Sequence, residues 1–327
     1  MKAVVSRAGH IDQLRIEDVQ TPVVPDDGLL VRVHAASINI ADLFSISRAG
    51  RMMNRSSSSN GSAPVPGTDF AGIVERLGGG VTTFRPGDEV FGSKRGSLAE
   101  YLCCAAGGVV TLKPPSISFE EAAAVPLAGT TALQAVRDHG HVHAGQKVLV
   151  NGSSGAVGPF LVQIAKAFGG EVTAVCSSAN VETARSIGAD RVIDYTTTDF
   201  TKDGSHYDVV LDVAGSKRFS EYDEILNRDG TFVAVGVSSV MHGRGGMFRV
   251  LRHLGGMRLR AMRSGPKVVL YVAKMNRPDL EVLAEMLADG RVKPVIDRRY
   301  KLDQIVEAFH YLDLGHSRGK LVISAFA

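Results

Sequence analysis

The sequence predicts an α/β protein that combines a β-rich, barrel-like unit with a doubly wound parallel sheet. Three observations lead to this fold class. The first third of the chain has the pattern of short strands separated by turns. From residue 118 onward, apolar strands alternate with helical segments. Within that alternation a glycine-rich turn, "NGSSGAVG", joins a buried strand to an apolar helix.

The composition describes a chain with room for two domains and sets limits on its partners. Of 327 residues, 44% are hydrophobic and 22% are charged, values close to the average for soluble proteins. A formal net charge of +3 is too small to indicate nucleic acid as the main partner. No apolar run approaches the roughly 18 residues of a membrane span, and the N-terminus has no signal-peptide pattern. Three cysteines, Cys103, Cys104 and Cys176, cannot form a disulfide framework, so we expect a cytoplasmic location and no membrane partner.

The β-rich unit is predicted from apolar runs and from the turns between them. Strands are expected at residues 1–5 and 28–38, within 66–92, where "RPGD" marks a tight turn, and at 96–104. Residues 48–67 are rich in Ser, Gly and Asn, a composition typical of a mobile loop. This segment is either a lid over a site or a tolerated surface insertion.

The parallel sheet is predicted from six apolar strands that follow one another with helices between them. Ser118 is expected to cap a helix that runs through "FEEAAAVPLAGTTALQAV", with Glu121 completing a capping box. Because strand–helix–strand units form right-handed crossovers, the sheet should be parallel and doubly wound. The expected strands are Lys147–Asn151, Glu171–Cys176, Arg191–Asp194, Asp208–Asp212, Thr231–Val235 and Val268–Val272.

The tail of the chain has the pattern strand, helix, strand and is expected to return to the first unit. The predicted organisation is therefore residues 1–120 for the β-rich unit, 121–274 for the parallel sheet, and 275–327 for the returning segment.

The glycine-rich turn predicts a dinucleotide site. Gly155 and Gly158 occupy the second and third positions of the G-x-G-x-x-G fingerprint, while Ser153, beside Gly152, stands in the first. The second glycine lets the backbone approach a pyrophosphate, and the third lets the helix pack close to the strand. The helix N-terminus then offers free N–H groups and a partial positive charge to the phosphates.

The end of the next strand favours NADP over NAD. An NAD site usually places an Asp or Glu there to hold the ribose 2′-hydroxyl. Here the strand ends in "VCSSAN", with no acid before Glu182. The hydroxyls of Ser177 and Ser178 leave space for a 2′-phosphate and do not repel it.

Several motifs in this order resemble the medium-chain dehydrogenase/reductase superfamily, in particular its zinc-independent quinone oxidoreductase-like branch. They are "ASINIADLFSISRAG", "PGTDFAGIV", "RPGDEVFG", "GSLAEY", "AAAVPLAGTTALQAV", "NGSSGAVG", "IGADRVIDY" and "RGKLVIS". The likeness covers essentially the whole chain. It implies a GroES-like catalytic domain, built from both ends of the chain, around a central Rossmann domain.

The resemblance also implies that zinc is absent. Zinc-dependent relatives carry a Cys in the segment matching residues 37–42 and a Gly-His-Glu where this chain has Gly67, Thr68 and Asp69. Structural zinc needs four closely spaced cysteines, and only Cys103 and Cys104 stand in that region. The tract "HGHVH" precedes the first Rossmann strand and is not expected to bind metal. We expect neither a catalytic nor a structural zinc ion.

The resemblance assigns the remaining candidate site residues. Asn39 takes the position of the zinc-binding Cys and would donate its amide to the substrate carbonyl. Asp42 either orients Asn39 or caps the helix "LFSIS", and Thr68, in place of a zinc-ligating His, should border the same pocket. The complete set of candidate cofactor-binding residues is Thr131, Gly152, Ser153, Ser154, Gly155, Ala156, Val157, Gly158, Cys176, Ser177, Ser178, Tyr195, Ala214, Gly236, Arg318 and Lys320.

Some of these cofactor assignments have specific alternatives. Thr131 either contacts the cofactor or packs in the core. Tyr195 matches a residue near the adenosine end or the 2′-phosphate in relatives. Arg318 and Lys320 are the cations expected to reach the 2′-phosphate from the C-terminal strand. Cys176 is expected to be a small packed residue and not a nucleophile.

Without a metal to stabilise an alkoxide, the predicted reaction is hydride transfer to an already electrophilic carbon. Enones, enals and quinones fit this description. An enoyl-thioester or biosynthetic tailoring reductase is a second hypothesis, and a nucleotide-binding scaffold or redox sensor with little catalysis is a third. The Arg-rich residues 241–267 either receive the phosphates of a thioester carrier or cover apolar surface with their aliphatic stems.

The sixth Rossmann strand, "KVVLYVA", is apolar and would lie at a sheet edge. Pairing of this edge across a two-fold axis predicts a homodimer.

Overall fold

The computed structural model describes residues 1–7, 9–47, 65–235 and 265–324. The chain divides into two compact units. The first comprises Met1–Thr130, Met275–Gly290 and Pro294–Ala327, and the second Thr131–Lys274 and Arg291–Lys293. Below, α-helices and β-strands are numbered in chain order over the described residues.

Two sheets form the first unit in the part of the chain that the structure describes. β1 and β2 make an antiparallel pair, and a second sheet has the order β14-β15-β3-β4-β5-β7, with β6 also paired to β3. The strands are β1 Lys2–Ser6, β2 Leu14–Asp18, β3 Gly28–Ile38, β4 Asp69–Leu77, β5 Glu89–Ser93, β6 Tyr101–Ala105, β7 Val110–Leu112, β14 Ile296–Lys301 and β15 Lys320–Ser324. Alternate residues of these strands, among them Val31 and Phe70, fill one core.

The returning tail completes this sheet. β15 pairs antiparallel with β3, with Leu321 opposite Ile38 and Val322 opposite Ser37. This register brings the C-terminal strand to the end of β3, and β4 flanks the same end from the other side, with Asp69 opposite Ser37. The segments around residues 38, 69 and 320 therefore meet at one place.

Short helices cover the first unit. Ser118 caps α2 as predicted: its hydroxyl accepts from the Glu121 N–H at 3.2 Å, and the Glu121 carboxylate accepts from the Ser118 N–H at 2.8 Å. The helix predicted to continue from there is interrupted before Pro126, because a proline inside a helix removes a hydrogen bond and crowds the preceding turn. The helices are α1 Ile40–Ile46, α2 Phe119–Ala123, α3 Pro126–Gln134, α7 Arg277–Ala288 and α8 Ile305–Asp313. α3 extends into the second unit, where a π-helical turn, Ala135–His139, follows it.

The second unit is a parallel sheet with the order β10-β9-β8-β11-β12-β13 in the residues described. The order reverses between β8 and β11, which is the switch point at which doubly wound sheets bind ligands. The strands are β8 Lys147–Asn151, β9 Glu171–Cys176, β10 Arg191–Asp194, β11 Tyr207–Asp212, β12 Leu226–Ala234 and β13 Lys267–Leu270, and the helices are α4 Gly158–Ala167, α5 Val181–Ser186 and α6 Phe219–Asp223. The predicted α/β class, with a doubly wound parallel sheet, is confirmed.

Several predicted features differ in extent or lie outside the described residues. β12 begins at Leu226, five residues before the expected Thr231. The strand therefore includes "LNRDG", a sequence that is typical of a turn. Residues 121–130 lie with the first unit; the Leu127 N–H donates to Asp69 of β4 at 3.2 Å. Most of segments 48–67 and 241–267, and Gly236, fall outside the described residues.

Candidate active site

The glycine turn, residues 151–158, is shaped by three glycines with different roles. Gly152 has a φ of +85°, which a residue with a side chain adopts only under strain. A Cβ at Gly158 would overlap the carbonyl oxygen of Gly152 and the backbone of Ser153, so α4 packs directly on the turn. A Cβ at Gly155 would meet no heavy atom within 4 Å. The open space at Gly155 is where a bound group can approach the backbone.

Ser153 supports the turn from inside. Its side chain is buried, and its hydroxyl donates to the Val175 carbonyl of β9 at 3.0 Å. The hydroxyl is therefore used to fix the turn to the sheet. Ser154, Gly155, Ala156 and Val157 are partly exposed and form the accessible side of the turn, directly before the N-terminus of α4. The first turn of α4 carries no acidic residue, so the positive end of its dipole is not opposed there.

A buried polar network lies at the ends of β8 and β11, and the sequence analysis did not identify it. The Asn151 amide donates to Asp212 at 2.9 Å and contacts the Tyr222 hydroxyl at 2.8 Å. The Gly215 N–H also donates to Asp212, at 2.9 Å. This network holds the loop that contains Ala214 beside Gly152: a Cβ on Gly152 would lie 3.1 Å from the Ala214 nitrogen. Two loops at the switch point are thus fixed to each other.

The edge beyond β9 contains an acid, Asp194, that was not among the predicted site residues. The Asp194 carboxylate, at the end of β10, accepts from the Ser178 hydroxyl at 2.5 Å. The parallel pairing of β9 and β10 sets Asp194 opposite Cys176. Hydrogen bonds from Ser178 and Thr196 lower the pKa of Asp194, which keeps this carboxylate charged. The missing acid at the end of β9 is thus a weaker argument for NADP than the sequence alone gives, because the neighbouring strand supplies a carboxylate.

Other candidate cofactor residues in the second unit have varied surroundings. Cys176 is buried, and burial raises the pKa of its thiol. A raised pKa keeps the thiol protonated, which agrees with a packed residue that is not a nucleophile. Tyr195 is 58% exposed, and the Ser177 hydroxyl accepts from the Asn180 amide at 2.9 Å. Thr131 is half-buried, and its carbonyl accepts a hydrogen bond from the Tyr271 hydroxyl.

A second polar site, here called the Lys320 cluster, lies in the first unit and consists of Ser37, Asn39, Asp42, Asp69 and Lys320. Lys320 is 1% exposed and Asp69 is fully buried. The Lys320 ammonium donates to the Asn39 side-chain oxygen, and its Nζ lies 3.6 Å from the Asp69 carboxylate. The Asn39 amide nitrogen donates to Asp69 at 2.9 Å and lies 3.4 Å from the Thr68 hydroxyl oxygen.

Asp69 is surrounded by donors. Besides Asn39, the Ser37 hydroxyl donates to it at 3.3 Å and the Leu127 N–H at 3.2 Å. Burial raises the pKa of Asp69 and lowers the pKa of Lys320, and the attraction between them opposes both shifts. A carboxylate that accepts several hydrogen bonds is stabilised in its charged form, and it stabilises the ammonium in turn. We therefore assign an ionised pair.

Asp42 ties the start of α1 to this cluster. Its carboxylate accepts from the Asn39 N–H at 2.8 Å, so Asn39 is the N-cap and Asp42 is the third helical residue, not the cap that the sequence suggested. Asp42 is buried, and burial, the largest cause, raises its pKa to about 7. At a pH below this value Asp42 is protonated, which removes a second negative charge from the neighbourhood of Asp69.

Two expectations about the first unit are corrected by these contacts. Lys320 cannot serve a 2′-phosphate in this arrangement, because its ammonium is buried against Asn39 and Asp69. Asn39 has its amide directed at Asp69 and Thr68, so its hydrogens are used within the protein and not presented directly to a substrate. Thr68 is partly exposed and is the member of this group that a ligand can reach. Arg318 is exposed, and its N–H donates to Asp297 at 2.8 Å.

The Lys320 cluster and the adjacent Thr68 do not fit a zinc ion. The two positions that match zinc ligands hold an amide and a hydroxyl, and a buried ammonium stands beside them. Zinc prefers thiolate, imidazole and carboxylate donors, and a fixed positive charge repels it. Among the described residues, no group of three His, Cys, Asp or Glu side chains is arranged to hold a metal. None of the described helices has the length and hydrophobicity of a membrane span.

Comparison with known proteins agrees with this arrangement. Residues 25–115 match the family model of the alcohol dehydrogenase GroES-like domain, and residues 187–323 that of the zinc-binding dehydrogenase. The chain is similar to 2-methylene-furan-3-one reductase of Solanum lycopersicum, with 33% identity over 96% of this chain and 76% of the relative. It is also similar to the chloroplastic NADPH-dependent alkenal/one oxidoreductase of Arabidopsis thaliana, with 32% identity over 99% and 79%. The solved quinone oxidoreductase of Coxiella burnetii superposes with a TM-score of 0.84 at 28% identity, covering 99% of both chains.

Proposed function

The chain belongs to the medium-chain dehydrogenase/reductase superfamily, in its quinone oxidoreductase-like branch, and we propose that it is an NADPH-dependent reductase of enones, enals or quinones. The family resemblance expected from the motifs is confirmed, and so is the class of activity, a nicotinamide-dependent reduction of activated double bonds. The choice of NADPH, the acceptor and the residues that act on it form the proposal.

One observation carries the proposal: the glycine turn offers an accessible backbone at the switch point of a parallel sheet. The open space at Gly155 leaves room for a pyrophosphate, and the N-terminus of α4 presents N–H groups toward it. When bound, the reduced nicotinamide supplies a hydride to the electrophilic carbon of the acceptor, and a proton from water completes the reduction. The residues of the turn bind and orient the nucleotide.

The preference for NADPH is supported by the hydroxyl groups of Ser177 and Ser178 and by the name of the Arabidopsis relative. Ser178 is held by Asp194 at 2.5 Å, which sets the direction of its hydroxyl. The exposed Tyr195 is the candidate within the second unit for the 2′-phosphate, and the role of Arg318, in the first unit, stays a prediction from the family resemblance. The Asp194 charge works against a phosphate at this edge, so we propose a preference for NADPH and not an exclusive use of it.

In the first unit, we assign Thr68 as the donor to the acceptor's oxygen. Hydride addition to an enone leaves negative charge on that oxygen, and a fixed hydrogen-bond donor stabilises it. Thr68 is partly exposed and is contacted by Asn39, whereas Asn39 and Asp42 are buried. Asn39 and Asp42 position Thr68 and the start of α1.

The test is NADPH oxidation over a panel of enones, enals, quinones and acyl thioesters, with NADH run in parallel. We expect turnover with small enones or quinones, faster with NADPH, and unchanged after treatment with a zinc chelator. Turnover confined to acyl thioesters would instead support the enoyl-thioester reductase. NADPH binding without turnover of any acceptor would support the nucleotide-binding scaffold and contradict the proposal.

We also propose that two copies pair through β13. This strand is at the edge of the sheet. Leu270, its last residue, is 50% exposed, and Val272, which follows it, is 81% exposed. Light scattering should give a dimer for the wild-type protein and a monomer for Leu270→Lys with Val272→Lys. A wild-type monomer, or a variant that stays dimeric, would contradict this. A cytoplasmic location is supported by three free cysteines in the described residues.

A further inference from the structure

The Lys320 cluster contains a buried cation whose closest partner is a neutral amide. The Lys320 ammonium donates directly to the Asn39 oxygen, while the Asp69 carboxylate is 3.6 Å away. Buried ion pairs are poor stabilisers, because the cost of desolvation often equals or exceeds the attraction, and apolar replacements of similar volume are frequently neutral. Stability alone therefore does not explain a lysine at this position.

We propose that Lys320 is a positioning residue whose ammonium polarises the Asn39 carboxamide, and through it the Thr68 hydroxyl, toward the oxygen of the acceptor. The proposal rests on the proposed function.

The route of polarisation follows the hydrogen bonds in order. A cation that donates to an amide oxygen draws electron density from the amide nitrogen, which makes its N–H groups stronger donors. Asn39 directs one of these toward Asp69 at 2.9 Å and lies 3.4 Å from Thr68. A threonine oxygen that accepts a hydrogen bond donates its own hydrogen more strongly. The partly exposed hydroxyl of Thr68 is thus the end of the chain that begins at Lys320.

The proposed reaction takes no proton from this cluster. Bound NADPH would supply the hydride for the new C–H bond at the β-carbon of an enone, and the π-electron pair would move toward oxygen. Thr68 donates to that oxygen while it carries charge. Water then protonates the α-carbon, so that a C=C bond becomes CH–CH and the nicotinamide is oxidised. Lys320 keeps its proton throughout and acts only through its charge.

The alternative is that Lys320 and Asp69 form a purely structural pair. The two accounts differ for the double variant Lys320→Met with Asp69→Asn, which removes both charges of the pair together. A structural pair predicts that this variant regains kcat as it regains stability. A polarising lysine predicts that it regains stability and stays slow.

The first experiment compares Lys320→Met, the double variant and Lys113→Met by Tm, NADPH Kd and kcat for one enone. Lys113 is the matched control, because it is a buried lysine of the same unit whose ammonium donates to the carbonyls of Pro114 and Ile117, outside the cluster. Removing a direct oxyanion donor costs about 100- to 1000-fold in kcat. Because Lys320 acts through Asn39 and Thr68, its removal should lower kcat by a smaller factor, about 10- to 100-fold.

We expect kcat to fall by that factor in both Lys320 variants. NADPH Kd should stay within about 3-fold of the wild type, since Asn39 and Asp69, which Lys320 contacts in the part of the chain that the structure describes, do not belong to the unit that carries the glycine turn. Lys113→Met should lose stability and keep its kcat. Recovery of wild-type kcat by the double variant would overturn the proposal. If Lys320→Met does not fold, the kcat of the double variant still distinguishes a structural pair from a polarising lysine.

A second measurement separates polarisation from a misplaced Thr68. Over a series of aryl enones of increasing electron withdrawal, the loss in the double variant should be largest for the least activated acceptor. An equal loss for every acceptor would contradict polarisation. A wild-type protein that reduces no acceptor would refute the proposed function itself, whereas an active wild type with an active double variant refutes only the role of Lys320.

Discussion

The glycine turn and the Lys320 cluster are built in opposite ways. The turn is formed by backbone atoms and is partly exposed. It requires that Gly155 and Gly158 have no side chains. The cluster is made by side chains that are almost entirely buried, with Lys320 1% exposed. A backbone site can bind a nucleotide that is common to many enzymes. We propose that the cluster, with Thr68 beside it, sets the chemistry through an amide, a hydroxyl and an ammonium.

The largest effect is expected from a substitution that disrupts the glycine turn. Gly158→Leu would force a side chain into the Gly152 carbonyl and the Ser153 backbone, so α4 could no longer pack on β8. We expect loss of folding of the second unit, or a destabilisation of about 3 kcal/mol or more, measured by thermal unfolding. A Gly158→Leu variant of wild-type stability would show that α4 does not pack closely on the turn.

The next effect concerns the cluster and its pH dependence. Burial raises the pKa of Asp42 to about 7, above its value in the unfolded chain. The folded state therefore holds the proton more tightly, and Asp42 costs stability increasingly as the pH rises from about 4 to about 7. The cost amounts to about 2 to 4 kcal/mol at 1.4 kcal/mol per unit.

Asp42→Asn removes this titration and keeps an oxygen that accepts from the Asn39 N–H. Relative to the wild type, we expect the variant to gain stability as the pH rises from 4 to 7, by chemical denaturation at each pH. Parallel curves for the two proteins over that range would show that Asp42 ionises in the folded state as it does in water.

A smaller effect separates nucleotide binding from folding. Gly155→Val places a side chain in open space, so Tm should change little while NADPH Kd rises about 10- to 100-fold, because the side chain occupies the pyrophosphate position. Gly79→Val is the matched control, since a Cβ there also meets no atom within 4 Å but lies in the other unit. Equal NADPH affinities for the two variants would show that the nucleotide does not bind at the turn.

The smallest effect refines cofactor choice. Asp194→Asn removes the charge beside Ser178 and keeps an acceptor for its hydroxyl. We expect the preference for NADPH over NADH, taken as the ratio of kcat/KM values, to rise about 3- to 10-fold at low salt. Ser205→Ala, at a distant surface position bonded to Arg191, should leave the ratio unchanged. A ratio that falls in Asp194→Asn would indicate that the carboxylate does not face the 2′-position.

The two regions also differ in how well the sequence predicts them. The turn, its strand and its helix are contiguous, so β8, β9 and β10 were predicted with their observed bounds. The cluster joins residues near 39, 69 and 320, and only the pairing of β15 with β3 and of β3 with β4 brings them together. Position in a motif gave Asn39, Asp42 and Thr68 as candidates, yet the contacts of Lys320 depend on strand register.

Asp194 and the network of Asn151, Asp212 and Tyr222 were missed for the same reason. Each pairs residues from different strands, and such pairs leave no local pattern in the sequence. For Asp194 a signal existed: once β9 and β10 are taken as parallel neighbours, their ends must meet. For Tyr222, on α6, the sequence offered no comparable signal.

The most direct test of the account follows the hydrogen. NADPH carrying deuterium at both C4 positions of the nicotinamide is incubated with an enone and with protein treated with a zinc chelator, and the product is examined by NMR. The account predicts one deuterium on the β-carbon, none on the α-carbon, and an unchanged rate after chelation. Product without the label, or activity that is lost on chelation and restored by zinc, would contradict it.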